Sequence, residues 1–199
     1  MSYRYYRDRP SLLGRLFRLI LALAVVYAAV LGISAYRIHG WVSQATTSYE
    51  AFEQSFDAGN YESARNAIDK VAQNVANISK EAHSWYWDLV NKVPYLGEDV
   101  TCAQQLSNIA DNLANNALLP VLNNAESALN DLSQVSGVIQ ALTNARNVVS
   151  MCRSDFEQLP ASHFAQLNDL ATQLQNAVVN TDNVFNKLSV VLDIANLFV

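Results

Sequence analysis

Leu19-Ile-Leu-Ala-Leu-Ala-Val-Val-Tyr-Ala-Ala-Val-Leu-Gly-Ile-Ser-Ala-Tyr36 runs for 18 residues without a charge. A helix rises ~1.5 Å per residue, so the run covers about 27 Å, close to the hydrocarbon thickness of a bilayer. Trp41 follows soon after, where an amphipathic ring suits the water interface. A cleaved signal peptide is the competing reading. The run is longer than the ~7–15-residue apolar core of such a peptide, and no clear small-x-small site follows it. A buried core helix fits less well, because nothing balances the all-round apolarity. Residues 19–36 therefore read as a retained, single-pass transmembrane anchor.

The flanks give the anchor a direction. The leader, residues 1–18, carries Arg4, Arg7, Arg9, Arg15 and Arg18 against one acid, Asp8. Beyond Tyr36, only Arg37 and His39 precede an acidic stretch. The positive-inside rule puts the leader in the cytoplasm and residues 37–199 outside the cell membrane. The arginines read as topology determinants rather than as a nucleic-acid patch.

Hydrophobic residues make up 51% of the chain and charged residues 16%. From Trp41 onward there are 17 acidic and 7 basic residues. An acidic domain without a basic stripe has no electrostatic reason to bind phosphate backbones, so nucleic acid is not an expected partner. Both cysteines, Cys102 and Cys152, fall on the outer side, where disulfides persist. One reading is a Cys102–Cys152 disulfide closing a loop of about 50 residues and stabilising by ~4 kcal/mol. The other is two buried thiols. The compartment favours the bond.

Period-2 alternation is absent and helical spacing is nearly everywhere, so the predicted fold class is all-α. The expected architecture is the single N-terminal transmembrane helix followed by an extracytoplasmic bundle of long antiparallel helices. Residues 37–92 form a helical hairpin, 93–99 a turn, and 100–199 a second helical group. The first strut carries apolar residues from Ile38 to Phe56 and can continue the membrane helix; Gly59 ends it. The second is the most regular. Tyr61, Ala64, Ile68, Val71, Val75 and Ile78 step by threes and fours, and the pattern runs on through Ala82, Trp85 and Leu89. That spacing predicts one helix from about Asn60 to Asn91, capped by Asn60. Pro94 and Gly97 then break it. Pro120 predicts a kink or stop, and a Cys102–Cys152 bond asks for a real break between Pro120 and Asp131. Two more helices meet at Leu159-Pro160, the last capped by Ser162.

His39, His83 and His163 are far apart, no CxxC exists, and nucleotide-binding and hydrolase motifs are missing. The sequence thus predicts no enzyme, no metal, no cofactor and no identified small-molecule substrate. His83, between Ala82 and Trp85, reads as a partly buried packing residue. The most distinctive stretch is 83–99, which holds Trp85, Trp87, Pro94, Tyr95 and Gly97. Its aromatics make either a hydrophobic plug where helices meet or a partner-binding surface, and packing is the favoured reading. Glu98 and Asp99 there read as turn and capping residues.

Trp87, Leu89, Val93-Pro94-Tyr95-Leu96-Gly97 and Asp99, after a basic leader, one membrane helix and a helical hairpin, resemble the N-terminal portion of bacterial envelope proteins of the domain-of-unknown-function 4012 family. Phe156-Glu-Gln-Leu-Pro160 before a long helix is similar too. The resemblance covers most of the chain through short motifs. It implies a location at the envelope of a Gram-positive-type bacterium and assigns no catalytic residues. Members usually continue into a mixed α/β portion that this chain lacks, so a short relative or a fragment is expected. The function expected is a membrane-anchored extracytoplasmic scaffold or assembly module, with other envelope proteins or self-association as partners. The alternative is the ectodomain of a sensor acting through a separate membrane partner.

Overall fold

A computed structural model describes residues 12–130 and 134–196, with side chains for residue 18 and over 20–128 and 134–190. Arg4, Arg7 and Arg9 lie outside the described residues, as do Asp131, Ser133 and the last three residues. The side chain of Arg15 is likewise outside them. Every element among the described residues is helical: α1 (Leu12–Asp57), α2 (Tyr61–Ala82), α3 (Trp85–Val90), α4 (Leu96–Asp111), a π-helical segment (Asn112–Leu118), α5 (Leu119–Asn130), α6 (Val135–Glu157) and α7 (Ala165–Asn196). The chain divides into two compact units, residues 1–37 and 38–199.

The first unit is the N-terminal part of α1. It holds the first part of the one candidate membrane span among the described residues, Ile20–Asp57, whose mean hydropathy reaches 1.9. Ile20, Leu21, Leu23, Val25 and Val26 are all exposed. In water that surface is unfavourable at about 25 cal/mol per Å². The helix is thus long and apolar enough to cross a bilayer.

The second unit packs its helices around one core. Its first turn follows the sequence reading. The Asn60 N–H donates to the Ser55 carbonyl at 2.9 Å while Gly59 takes φ 72°, which closes α1 with a left-handed glycine. Asn60 Oδ1 then accepts the Ser63 N–H at 3.0 Å and caps α2. Phe56 and Tyr61 meet edge to face across the turn.

Hydrogen bonds between helices give the directions. Going backward along α2, Ala82 accepts from Gln104 (2.9 Å), Ser79 faces Asn108 and Arg65 donates to Asn123 (2.7 Å), so α2 runs antiparallel to α4 and α5. Cys152 on α6 faces Ile109, while the Gly137 Cα lies beside Asn124, so α6 returns antiparallel. Tyr49, Glu53 and Asp57 on α1 reach Ala177, Asn180 and Lys187 on α7 in that order, so these two are parallel. One end of the unit therefore holds Ile38, the α2 C-terminus and the starts of α4 and α7. The other holds the Gly59 turn.

Three expectations are corrected. The helix predicted from Asn60 to Asn91 stops at Ala82. His83 Nδ1 and Ser84 Oγ bond the last carbonyls of α2, those of Ser79 and Lys80, and Ser84 turns extended at ψ 144°. Side chains that bond helix carbonyls compete with continuing the helix. No break follows Pro120, since α4, the π segment and α5 run on from Leu96 to Asn130. The π segment supplies the reason. The Leu119 N–H reaches back five residues to the Ala114 carbonyl, and this wider turn accommodates the proline ring that would strike an α-helical carbonyl.

The third correction is the disulfide. Cys102 and Cys152 are both buried and both free. Cys152 Sγ lies 3.8 Å from the Ile109 carbonyl. Ile109 is two helical turns beyond Cys102 on α4, about 10 Å along its axis. A bond needs Cα atoms within about 7 Å, so the two thiols sit at different levels of the core. Burial raises both thiol pKa values, that of Cys152 to about 11.

Candidate functional site: the end of the helical unit entered at Ile38

Residues 83–99 lie at the end where Ile38 enters. Trp85 and Leu89 belong to the α2 seam by spacing, but the extended Ser84 re-aims them. Trp85 is 69% exposed and Leu89 is exposed, with Val93, Leu96 and Tyr95 exposed beside them in the chain. The packing plug expected of this stretch is corrected for Trp85, Pro94 and Tyr95, which face solvent; Trp87 and Gly97 are half-buried. His83 is exposed as well, and its ring nitrogen serves α2's last turn. Tyr95 has φ 70° and ψ −43°, a region close to a strained γ-turn. An exposed aromatic held in a strained backbone marks this turn for attention.

Two features hold the turn in shape. Gly97 passes so close to the Asn91 carbonyl that a Cβ there would stand 2.3 Å from its oxygen. Thr101 Oγ1 bonds both Asn91 Oδ1 and the Gly97 carbonyl at 2.9 Å. Asp99, in the first turn of α4, then ties this turn to the α6–α7 connection. Its Oδ1 accepts the Ser162 hydroxyl and the His163 N–H, each at 2.7 Å. Ser162 Oγ in turn accepts the Phe164 N–H at 3.1 Å, so it organises the approach to α7, which begins at Ala165. The Ser162 hydrogen bond, assisted by the His163 N–H and charge, holds the Asp99 carboxyl below its ordinary value. These residue types match a hydrolytic triad in name only: the serine donates to the carboxylate, not to the histidine. Their arrangement makes a clamp.

Beside this clamp the core is hollow. An apolar cleft of about 220 Å³ lies between α1, α2, α4 and α7, wholly inside the second unit. Ile38 and Val42, Val75 and Ile78, Leu106, and Leu170 and Leu174 form much of its wall. Its width comes from small side chains: Ala45, Ala82, Ala103, Ala110 and Ala177. The hydroxyls in the wall are bonded to backbone carbonyls, Thr46 to that of Val42 and Ser107 to that of Gln104 within their own helices, and Tyr49 across to that of Ala177 on α7. Exposed Gln173 marks the solvent side. Because the cleft opens to solvent on one side, apolar wall that a closed core would bury stays in contact with water there. The periodic sequence pattern missed the cleft, because alanine satisfies an a/d position as well as leucine does.

Among the described residues no three metal-ligating side chains come together. Comparisons with family models, with curated proteins and with solved structures found no match.

Proposed function

We propose that this chain is a single-pass, membrane-anchored scaffold whose helical unit acts as an interaction module outside the membrane, at a bacterial cell envelope. The observation that carries the reading is the exposed apolar edge, Trp85, Leu89 and Tyr95, at the end of the helical unit that holds Ile38. Aromatic rings there match the chemistry of a membrane–water interface and of protein contacts beside it. The arginine-rich leader supports a cytoplasmic N-terminus, and the resemblance around Trp87 to Asp99 supports the envelope. Neighbouring envelope proteins or a second copy are the partners that fit this edge.

Protease treatment of spheroplasts expressing the full chain tests the anchor: residues 37–199 are digested and the leader is protected. Recovery of the chain in the soluble fraction overturns the anchor. Crosslinking in intact membranes tests the edge. The Trp85→Ser/Tyr95→Ser variant keeps the anchor and loses crosslinked species formed by the wild type. Identical crosslink patterns overturn the role of the edge.

A further inference from the structure

We infer that the apolar cleft takes up a single hydrocarbon chain of a membrane lipid. The inference rests on the membrane reading above and adds a ligand site to it. Three observations carry it. The wall is mostly apolar, and its Thr46, Ser107 and Tyr49 hydroxyls are already bonded to backbone carbonyls, so apart from Gln173 at its edge the cleft offers a headgroup little and an alkyl chain dispersion contacts along most of its wall. The space is large enough: about 220 Å³ exceeds the ~150 Å³ of an engineered cavity that stays dry and binds benzene. At roughly 30 Å³ per water-sized group it holds about seven methylenes, a segment of one acyl chain. Finally, Ile38 and Val42 in the wall follow Tyr36 by only two and six residues. The cleft is thus covalently held within a few residues of a segment long and apolar enough to lie in lipid.

A neighbouring helix is the other apolar occupant to consider. The alanines argue against it. Ala45, Ala82, Ala110 and Ala177 come from four different helices that border the space, so it is a narrow cleft between helices rather than one flat outer face. A flexible chain enters such a gap past Gln173; a helix about 10 Å across does not.

The test uses the full chain in phosphatidylcholine–phosphatidylglycerol vesicles with a phospholipid bearing a mid-chain diazirine. After irradiation, adducts are mapped by mass spectrometry. Adducts are expected within residues 19–36 and also on Leu106, Ala110 or Leu174. Ala110→Leu, and separately Ala177→Leu, fill the space; each is expected to lower the α4 and α7 adducts about tenfold, leaving those in 19–36 unchanged. Circular dichroism and melting temperature confirm that each variant is folded. Adducts in 19–36 with none on α4 or α7 overturn the cleft while leaving the anchor intact. So do α4 and α7 adducts that both filling variants leave undiminished, the result expected of a chain or helix lying outside. Loss of adducts from 19–36 as well sinks the membrane reading and this site together.

Discussion

The two ends of the second unit are built by many of the same helices and differ in side-chain volume. Around the Gly59 turn, Phe52, Phe56 and Tyr61 stack in succession, and Phe185 and Leu188 are buried in the same core. Phe52 and Phe185 have no exposed surface. At the end entered at Ile38, the corresponding layers hold Ala45, Ala82, Ala110 and Ala177, and the space between them stays open. Aromatic residues are present there too, but Trp85 and Tyr95 sit on the outside. One end therefore supplies rigidity through dense packing. The other puts its large side chains on the surface and leaves a cleft between its helices, an arrangement that suits the binding role proposed for it.

The largest effect expected from breaking this contrast is at the packed end. Phe52→Ala removes a fully buried ring and is expected to cost about 3–5 kcal/mol, read as a fall of roughly 10 °C in thermal midpoint. An equal loss from truncating a cleft residue such as Val42 would erase the distinction. Adding volume sharpens it further. Ala64→Leu, at a position without exposed surface, is expected to lose about 1–3 kcal/mol. Ala110→Leu, facing the cleft, is expected to gain about 0.5–2 kcal/mol. Denaturant melts of the pair decide it, and a loss in both means the cleft is not available space.

The turn that shapes the entry end has its own test. Gly97→Ala drives a methyl into the Asn91 carbonyl and is expected to cost about 1–3 kcal/mol, since backbone rather than a mobile side chain stands in the way. A melt unchanged from wild type would show that the turn adjusts freely. Asp99 adds a pH signature. Its folded pKa lies below the ordinary 3.8, chiefly through the Ser162 hydroxyl. The stability it contributes is present above that ordinary value and is lost as pH falls through the folded one. Acid unfolding of the wild type should therefore show a loss that Asp99→Asn has already suffered at neutral pH. Parallel pH curves for the two proteins would remove the clamp from the account. The smallest expected effect is none: reducing and non-reducing gels should give the same mobility, since Cys102 and Cys152 lie about two helical turns apart in level. A faster non-reduced band would mean the helices have slipped.

Local signals in the chain decide the structure where a few residues act alone. Gly59 and Asn60 turn the chain as their conformational and capping preferences require, and the uncharged run from Leu19 to Tyr36 lies in one helix. Residues that had to choose between neighbours departed from their local pattern. Trp85 and Leu89 continued the α2 seam by spacing, but His83 and Ser84 bonded carbonyls of the α2 helix and turned the chain away. Pro120 signalled a break that a wider π turn absorbed. The expected outer location favoured a disulfide that the register between α4 and α6 prevents.

By itself, then, the sequence determined the helical class, the apolar first helix and the position of the Gly59 turn. Each follows from hydrophobic periodicity or from the backbone preference of a single residue, and neither needs a distant partner. Tertiary structure alone decided the helix registers, the Asp99–Ser162 clamp and the cleft. Those depend on which residues from separate helices share a layer. A layer of alanines leaves a gap only when alanines from several helices meet in it, and spacing along one helix carries no record of the others.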